Sequence, residues 1–285
     1  MEVKKIGILG AGAMGGGIAH LAAQSGFAVV LCDVKIDFVE KAVAKMEKLM
    51  AKSVEKGKMT AEQAKEVIGR ITKTENMEDF KDVDFIIEAI IEDLKIKKEA
   101  FAKLDEITRD DIILGTNTSS MSITEIAAAT KRPDKVVGMH FFNPAQVMKL
   151  VEVIRGYYTS DETIAATEAL SKQMGKTTVE VKKDSPGFVV NRIMMASAIE
   201  AIKLVEEGVA SMEDVDQAVK LGLNNPMGPF ELMDFTGVDI NIFVADYFYN
   251  EFKDVRWNPP LAIKQLAKAG RLGRKTGAGW YRYDK

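Results

Sequence analysis

The feature that most constrains this chain is a run of glycines set between an apolar strand pattern and a helical one. Lys5-Ile6-Gly7-Ile8-Leu9 leads into Gly10-Ala11-Gly12-Ala13-Met14-Gly15, and a helical stretch continues from Gly16 to Gln24. Such a unit needs a tight turn, a backbone that a ligand can approach and a helix packed close on its strand; Gly10, Gly12 and Gly15 meet those needs in that order. The amides around Ala13 and Met14 would then face an anion at the helix N-terminus. A second strand pattern ends in Asp33, about 20 residues on, where a carboxylate can accept hydrogen bonds from ribose hydroxyls. Glycines alone say little, since a cofactor-free α/β protein can carry the same turn. Strand, turn, helix and acid in sequence are specific for a dinucleotide. Asp33 repels a 2′-phosphate, so the expected cofactor is NAD, with the nearby Lys35 working against that preference.

At 285 residues the chain has length for two domains. Strand patterns at Lys5–Leu9, Ala28–Asp33, Phe85–Ala89, Ile112–Thr116 and Lys135–Phe141 alternate with helical ones, the signature of βα units around a mainly parallel sheet. Phe38 to about Val67 reads as one or two helices, with Gly57 as the break. After Asp184-Ser185-Pro186-Gly187 the texture turns helical: Asn191 to Glu207 with Gly208 closing it, then Met212 to Leu221 behind a Ser211 cap. The expected fold is α/β, a Rossmann-type dinucleotide-binding domain over 1–185 followed by a mostly α-helical domain over 186–285.

A hydrophobic share of 47% and a charged share of 28% fit an ordinary globular core. The net charge of −3 argues against nucleic acid as a partner. No stretch reaches the roughly 20 apolar residues of a membrane span, so no membrane partner is expected. Ile6 to Leu9 is too short for the apolar core of a secretory signal, and the one cysteine, Cys32, sits in a strand-like run; both point to the cytoplasm. No cysteine–histidine cluster suggests a metal.

Of the two histidines, His20 lies inside the first helix and reads as a packed helix residue. His140 ends a strand pattern just before Phe141-Phe142-Asn143-Pro144, where it can serve proton exchange or structure. Lys149-Leu150-Val151-Glu152-Val153-Ile154 is a further strand pattern, and folding back about Gln146 sets Glu152 opposite His140. A carboxylate there would hold the imidazole in one tautomer and stabilise its charged form. Asn117-Thr118-Ser119-Ser120 follows another strand end, so a hydroxyl could reach a substrate oxygen, or cap the next helix as Ser120 or Ser122 could. Asn191 opens the second domain's first helix and could reach back toward the first. Lys52 and Lys56, one helical turn apart, suit a phosphate, although with Lys45, Lys48 and Lys58 they also read as a solvated basic face.

These residues carry a resemblance. The chain resembles the 3-hydroxyacyl-CoA dehydrogenase family, in particular its bacterial short-chain members, over nearly its whole length. The match rests on Asn117-Thr118-Ser119-Ser120, Gly138-Met139-His140-Phe141-Phe142-Asn143-Pro144 and Met148-Lys149-Leu150-Val151-Glu152-Val153. It continues through Asp184-Ser185-Pro186-Gly187-Phe188-Val189-Val190-Asn191-Arg192, Asn225-Pro226-Met227-Gly228-Pro229-Phe230-Glu231-Leu232 and Lys275-Thr276-Gly277-Ala278-Gly279-Trp280-Tyr281. The resemblance implies hydride transfer between NAD and carbon 3 of a short, four-carbon 3-hydroxyacyl-CoA. It implies His140 as the acid/base, Glu152 as its orienting acid, and Ser119 and Asn191 on the substrate oxygens. Glu92, Lys97, Asn143 and Lys275 match further NAD contacts, with Ser119 near the cofactor as well. It also points to the Lys52–Lys56 region for the CoA handle and to a homodimer through the C-terminal domain. Two other readings stay open: a related dehydrogenase acting on a sugar acid or free hydroxy acid, and a non-catalytic NAD-sensing protein.

Overall fold

The structure, a computed structural model, describes residues 2–283. The chain divides into two compact units, Met1–Ser185 and Pro186–Lys285. In the first, strands and helices alternate: β1 (Lys5–Leu9), α1 (Ala13–Gln24), β2 (Ala28–Cys32), α2 (Ile36–Glu55), α3 (Ala61–Gly69), β3 (Ile71–Thr74), β4 (Phe85–Glu88), α4 (Leu94–Ile107), β5 (Ile113–Thr116), α5 (Ile123–Ala127), β6 (Val136–Phe141), β7 (Leu150–Ile154), α6 (Asp161–Gln173) and β8 (Thr177–Val181). They build one eight-stranded sheet in the order β3-β2-β1-β4-β5-β6-β7-β8. Every neighbouring pair is parallel except β6 with β7. The chain winds outward from β1 to β3, then resumes at β4 on the other side of β1. This Rossmann-like reversal opens a crevice at the carboxyl ends of β1 and β4, where the glycine turn lies.

Helices cover both faces of the sheet, so its inner strands are apolar on both sides rather than alternating. Ile6 and Ile8 of β1 and Phe85, Ile86 and Ile87 of β4 are fully buried. Helix α2 buries Val39, Val43, Met46 and Met50, a single stripe at helical spacing. Each such side chain contributes about 1.5–3 kcal/mol by leaving water. The helical region expected from Phe38 onward is two helices: α2 stops at Glu55, Gly57 takes φ +65°, and Thr60 with Gln63 forms a capping box for α3.

The sequence patterns left out β3 and β8, which are the two edges of the sheet. Edge strands are half solvated and short, so their apolar signal is weak: Thr72 and Lys73 are exposed in β3, and Thr177 and Val179 in β8. The region expected to open at Lys135 begins at Val136, because Pro133–Lys135 forms a single 3-10 turn.

The second unit is helical: α7 (Val190–Glu206), α8 (Met212–Gly222), α9 (Pro229–Thr236), α10 (Val238–Phe252) and α11 (Leu261–Lys268). Ile202, Val215, Phe230, Met233, Val238 and Ile263 share one buried cluster. Ser211 caps α8 through the amide of Asp214. Asp216 accepts from the amides of Phe230 and Glu231 and so caps α9 from a neighbouring helix.

The glycine turn owes its shape to two different constraints. Gly10 takes φ +105°, and a Cβ at Gly15 would overlap the Gly10 carbonyl, whereas one at Gly12 meets nothing within 4 Å. Gly15→Ala should therefore cost about 1–3 kcal/mol, while Gly12→Ala should stay within about 0.5 kcal/mol of the parent. Urea unfolding of the two variants checks this; equal midpoints would refute it.

Candidate active site

The turn between β1 and α1 is tied to its neighbours by backbone and by one acid. The Gly10 amide donates to the Cys32 carbonyl at 2.7 Å. Asp33 accepts from the Ala11 amide at 2.6 Å and from the Val34 amide at 2.7 Å, which fixes its carboxylate beside the turn. Helix α1 begins after Gly12 with no side-chain cap, so its first amides are available to an outside acceptor. A cleft of about 790 Å³ opens here, lined among others by Gly12, Met14, Asp33, Glu92, Ser119 and His140. Val34 and Ile91, 82% and 67% exposed, stand on its rim as apolar surface for a flat ring. Uncapped amides, open space over Gly12, a fixed carboxylate and an apolar rim together fit NAD.

His140 sits one residue from the end of β6, directly opposite Glu152 of β7. Its Nδ1 lies 2.7 Å from Glu152 Oε2. Glu152 is fully buried and His140 is 5% exposed, so water competes little for this hydrogen bond. Asn117 Oδ1 accepts from the Phe141 amide at 2.9 Å, bracing the strand end from β5. The loop after β6 carries Asn143, which lines the cleft. The buried Lys176 holds that loop, donating to the Ala145 and Met148 carbonyls at 2.6 and 2.7 Å. Burial pulls its ammonium below the ordinary value near 10.5.

Glu92, which lines the same cleft as His140, belongs to a charge network. Lys97, 1% exposed, lies 2.7 Å from Glu88 and 3.3 Å from Glu92. Glu88, also fully buried, accepts further from the Thr116 hydroxyl and the Ile90 amide, both at 2.7 Å. Glu92 Oε1 accepts from the Thr118 hydroxyl at 2.6 Å, the Ser119 amide at 2.8 Å and the Ser119 hydroxyl at 3.1 Å. Burial pushes the Glu92 carboxyl upward, but the Lys97 charge and these donors outweigh it and hold it below its ordinary value.

Of the residues singled out in the sequence, Gly10, Gly12, Ala13, Met14, Asp33, Glu92, Ser119, His140 and Asn143 all line this one cleft. Gly15 lies buried beneath the turn, and Lys97 lies behind Glu92 rather than on the cleft wall. Lys52 and Lys56 are exposed at the far end of α2. Asn191 stands in the first turn of α7, in the second unit. Lys275, also there, lies 2.6 Å from Asp239. The sequence reading passed over Glu88 and Lys176. A carboxylate closing the apolar run Phe85-Ile86-Ile87 was the available signal, since a charge buried in such a strand requires a partner.

The family model for the NAD binding domain of 3-hydroxyacyl-CoA dehydrogenase matches residues 5–185, and the model for its C-terminal domain matches residues 187–283. The chain belongs to the 3-hydroxyacyl-CoA dehydrogenase family. Among its relatives, 3-hydroxybutyryl-CoA dehydrogenase of Clostridioides difficile is 46% identical over 281 residues, covering 99% of this chain and 100% of the relative. The mitochondrial hydroxyacyl-coenzyme A dehydrogenase of Homo sapiens is 41% identical over 99% of this chain and 91% of its own length. The crystal structure of (S)-3-hydroxybutyryl-CoA dehydrogenase from Ralstonia eutropha superposes with a TM-score of 0.96 at 44% identity, covering 100% of both chains.

The family's NAD-binding unit here rests on a compensated buried charge. Lys97→Met would strand Glu88 without its cation and should cost about 3–5 kcal/mol. Adding Glu88→Gln to that variant should recover most of the loss. Urea unfolding of the single and double variants measures both, and a silent single substitution would contradict the network.

Proposed function

We propose that this chain interconverts (S)-3-hydroxybutyryl-CoA and acetoacetyl-CoA with NAD(H). The observation that carries the reading is the imidazole–carboxylate pair of His140 and Glu152 in the same cleft as the glycine turn and Asp33. NAD held in that cleft would supply the hydride in reduction and accept it in oxidation.

The residues of the chain do the remaining work. Glu152 accepts at Nδ1, which assigns the Nδ1–H tautomer and makes Nε2 the atom that exchanges a proton. In oxidation, His140 Nε2 takes the proton of the substrate's 3-hydroxyl; in reduction it returns a proton to the 3-oxygen. Positioned proton transfer of this kind contributes about 10²–10⁴-fold. Ser119, held at its amide and hydroxyl by Glu92, orients the substrate oxygen, and Asn191 shares that task, a role supported by the resemblance of its motif to the family's. Glu92 and Asn143 contact the cofactor, with Lys97 acting through Glu92; for Lys275 a cofactor contact is supported only by the resemblance of its motif to the family's. Asp33 favours NAD over NADP, because a 2′-phosphate would meet its carboxylate.

Lys41 and Lys45 line a further groove along α2, and Lys52 and Lys56 continue their face toward the helix end. This row of cations supports a phosphorylated handle, as in CoA, over a free hydroxy acid. Exposed Phe235, Ile240 and Phe243 in the second unit support a homodimer through that unit. No helix among the described residues is long and apolar enough to cross a membrane. We read the chain as a cytoplasmic enzyme, in keeping with a buried Cys32 whose thiol burial pushes up to about 12.

The test is NADH oxidation with acetoacetyl-CoA, run beside NADPH and beside free acetoacetate. The expected result is turnover with acetoacetyl-CoA and NADH, at least tenfold weaker with NADPH and negligible with the free acid. His140→Ala should cut kcat at least a hundredfold, as estimated for lost acid–base transfer, with NADH binding intact; Glu152→Gln should lower kcat in the same way. NADH binding without reduction of acetoacetyl-CoA would favour a sensor instead. Lys56→Ala should raise KM for the CoA substrate, and an unaltered KM would return Lys56 to the solvated face.

A further inference from the structure

Helix α2 begins without a cap of its own. Its N-cap residue is Lys35, whose side chain makes no capping hydrogen bond. The first amide of the helix, at Ile36, donates instead to Glu75 Oε2 at 2.9 Å, 39 residues further along the chain. Glu75 directly follows β3, the strand at one edge of the sheet. The loop that carries it is braced on both sides. The Thr74 hydroxyl donates to Asp79 at 2.5 Å, and the Asn76 amide donates to Thr74 Oγ1 at 2.9 Å. Phe80, at the far end of the loop, is fully buried. An exposed glutamate on a fixed loop thus holds its carboxylate in one place.

That place is beside Asp33. In the parallel pairing of β2 with β3, Cys32 is the register partner of Thr74, and the Asp33 amide donates to the Thr74 carbonyl at 3.4 Å. One residue further on, the two segments carry Asp33 and Glu75. The Cys32 thiol reports the same neighbourhood: burial does most to raise it, and the charges of Asp33, Asp79 and Glu75 add to the rise. Asp33 is placed to accept from the 2′-hydroxyl of the adenine ribose. A phosphate on that hydroxyl would be brought up to Asp33 and to the charges beside it. Free amides at a helix N-terminus ordinarily draw an anion. At α2 the first of them already holds a carboxylate, and Asp37 adds another acid in the first turn. Lys35, the cation that works against the preference for NAD, is outnumbered.

We propose that Glu75 is a second determinant of cofactor choice: its carboxylate takes the helix amide that would welcome a 2′-phosphate and repels that phosphate, so Asp33 does not discriminate alone. The proposal rests on the reading of Asp33 as the ribose acid. Equilibrium titration with NADH and with NADPH, followed by nucleotide fluorescence, tests it without a substrate. Glu75→Gln keeps an oxygen for the Ile36 amide and removes only the charge. It should tighten NADPH binding about 3- to 10-fold, the scale of one exposed charge acting on a phosphate of about two. The Kd for NADH should stay within about twofold of the parent. Glu75→Ala, which also frees the amide, should tighten NADPH at least as much. An unchanged NADPH Kd in Glu75→Gln overturns the proposal. An equal shift with both nucleotides also overturns it, and would assign Glu75 to holding the turn. Asp33→Asn separates the underlying reading. A variant that keeps the parent's preference for NADH would sink the ribose assignment, whereas a lost preference there beside an unmoved Glu75→Gln would sink only this proposal.

Discussion

The antiparallel pairing of β6 with β7 is the constraint on which the site depends. The rest of the sheet up to β6 is parallel, and its strand ends deliver loops to one edge. At β7 the direction reverses, and a residue from the incoming strand is laid directly against the end of the outgoing one. That places Glu152 across from His140. Because side chains alternate at every residue, a slip of one position would put the acid and the imidazole on opposite faces of the sheet. The register is secured by burial: Met139, Phe141, Val151, Val153 and Ile154 are all sealed in the core. Gly138 removes a side chain where Ile154 and Ile123 would collide with it. Hydrophobic packing, which has no directional preference of its own, is thereby converted into the placement of a 2.7 Å hydrogen bond.

The same logic sets the other wall. Glu88 ends an apolar strand and would be costly there alone. Lys97, Thr116 and the Ile90 amide supply its partners. Lys97 also reaches Glu92, which holds Thr118 and Ser119. A charge buried at the end of the inner strand β4 thus orders the loop after β5, whose serine lines the cleft. The loop after β6 is ordered in a comparable way by Lys176, whose ammonium is spent on two carbonyls. Both loops at the cleft are fixed from below by a buried lysine, leaving their outer surfaces for ligands.

Much of this was legible in the sequence because it depends on local pattern. The glycine turn, the inner strands and the facing of His140 with Glu152 follow from runs a few residues long and from the period of two along a strand. The two edge strands escaped because solvated edges lose the apolar signal. The Glu88–Lys97–Glu92 network escaped for another reason: its members come from a strand, the start of a helix and the turn between them, and nothing in their spacing says that their side chains converge. Lys176 is further still, separated from its loop by all of α6. Contacts made across the fold leave no periodic trace, whereas an acid inside an apolar run leaves a flag that a partner must exist without naming it.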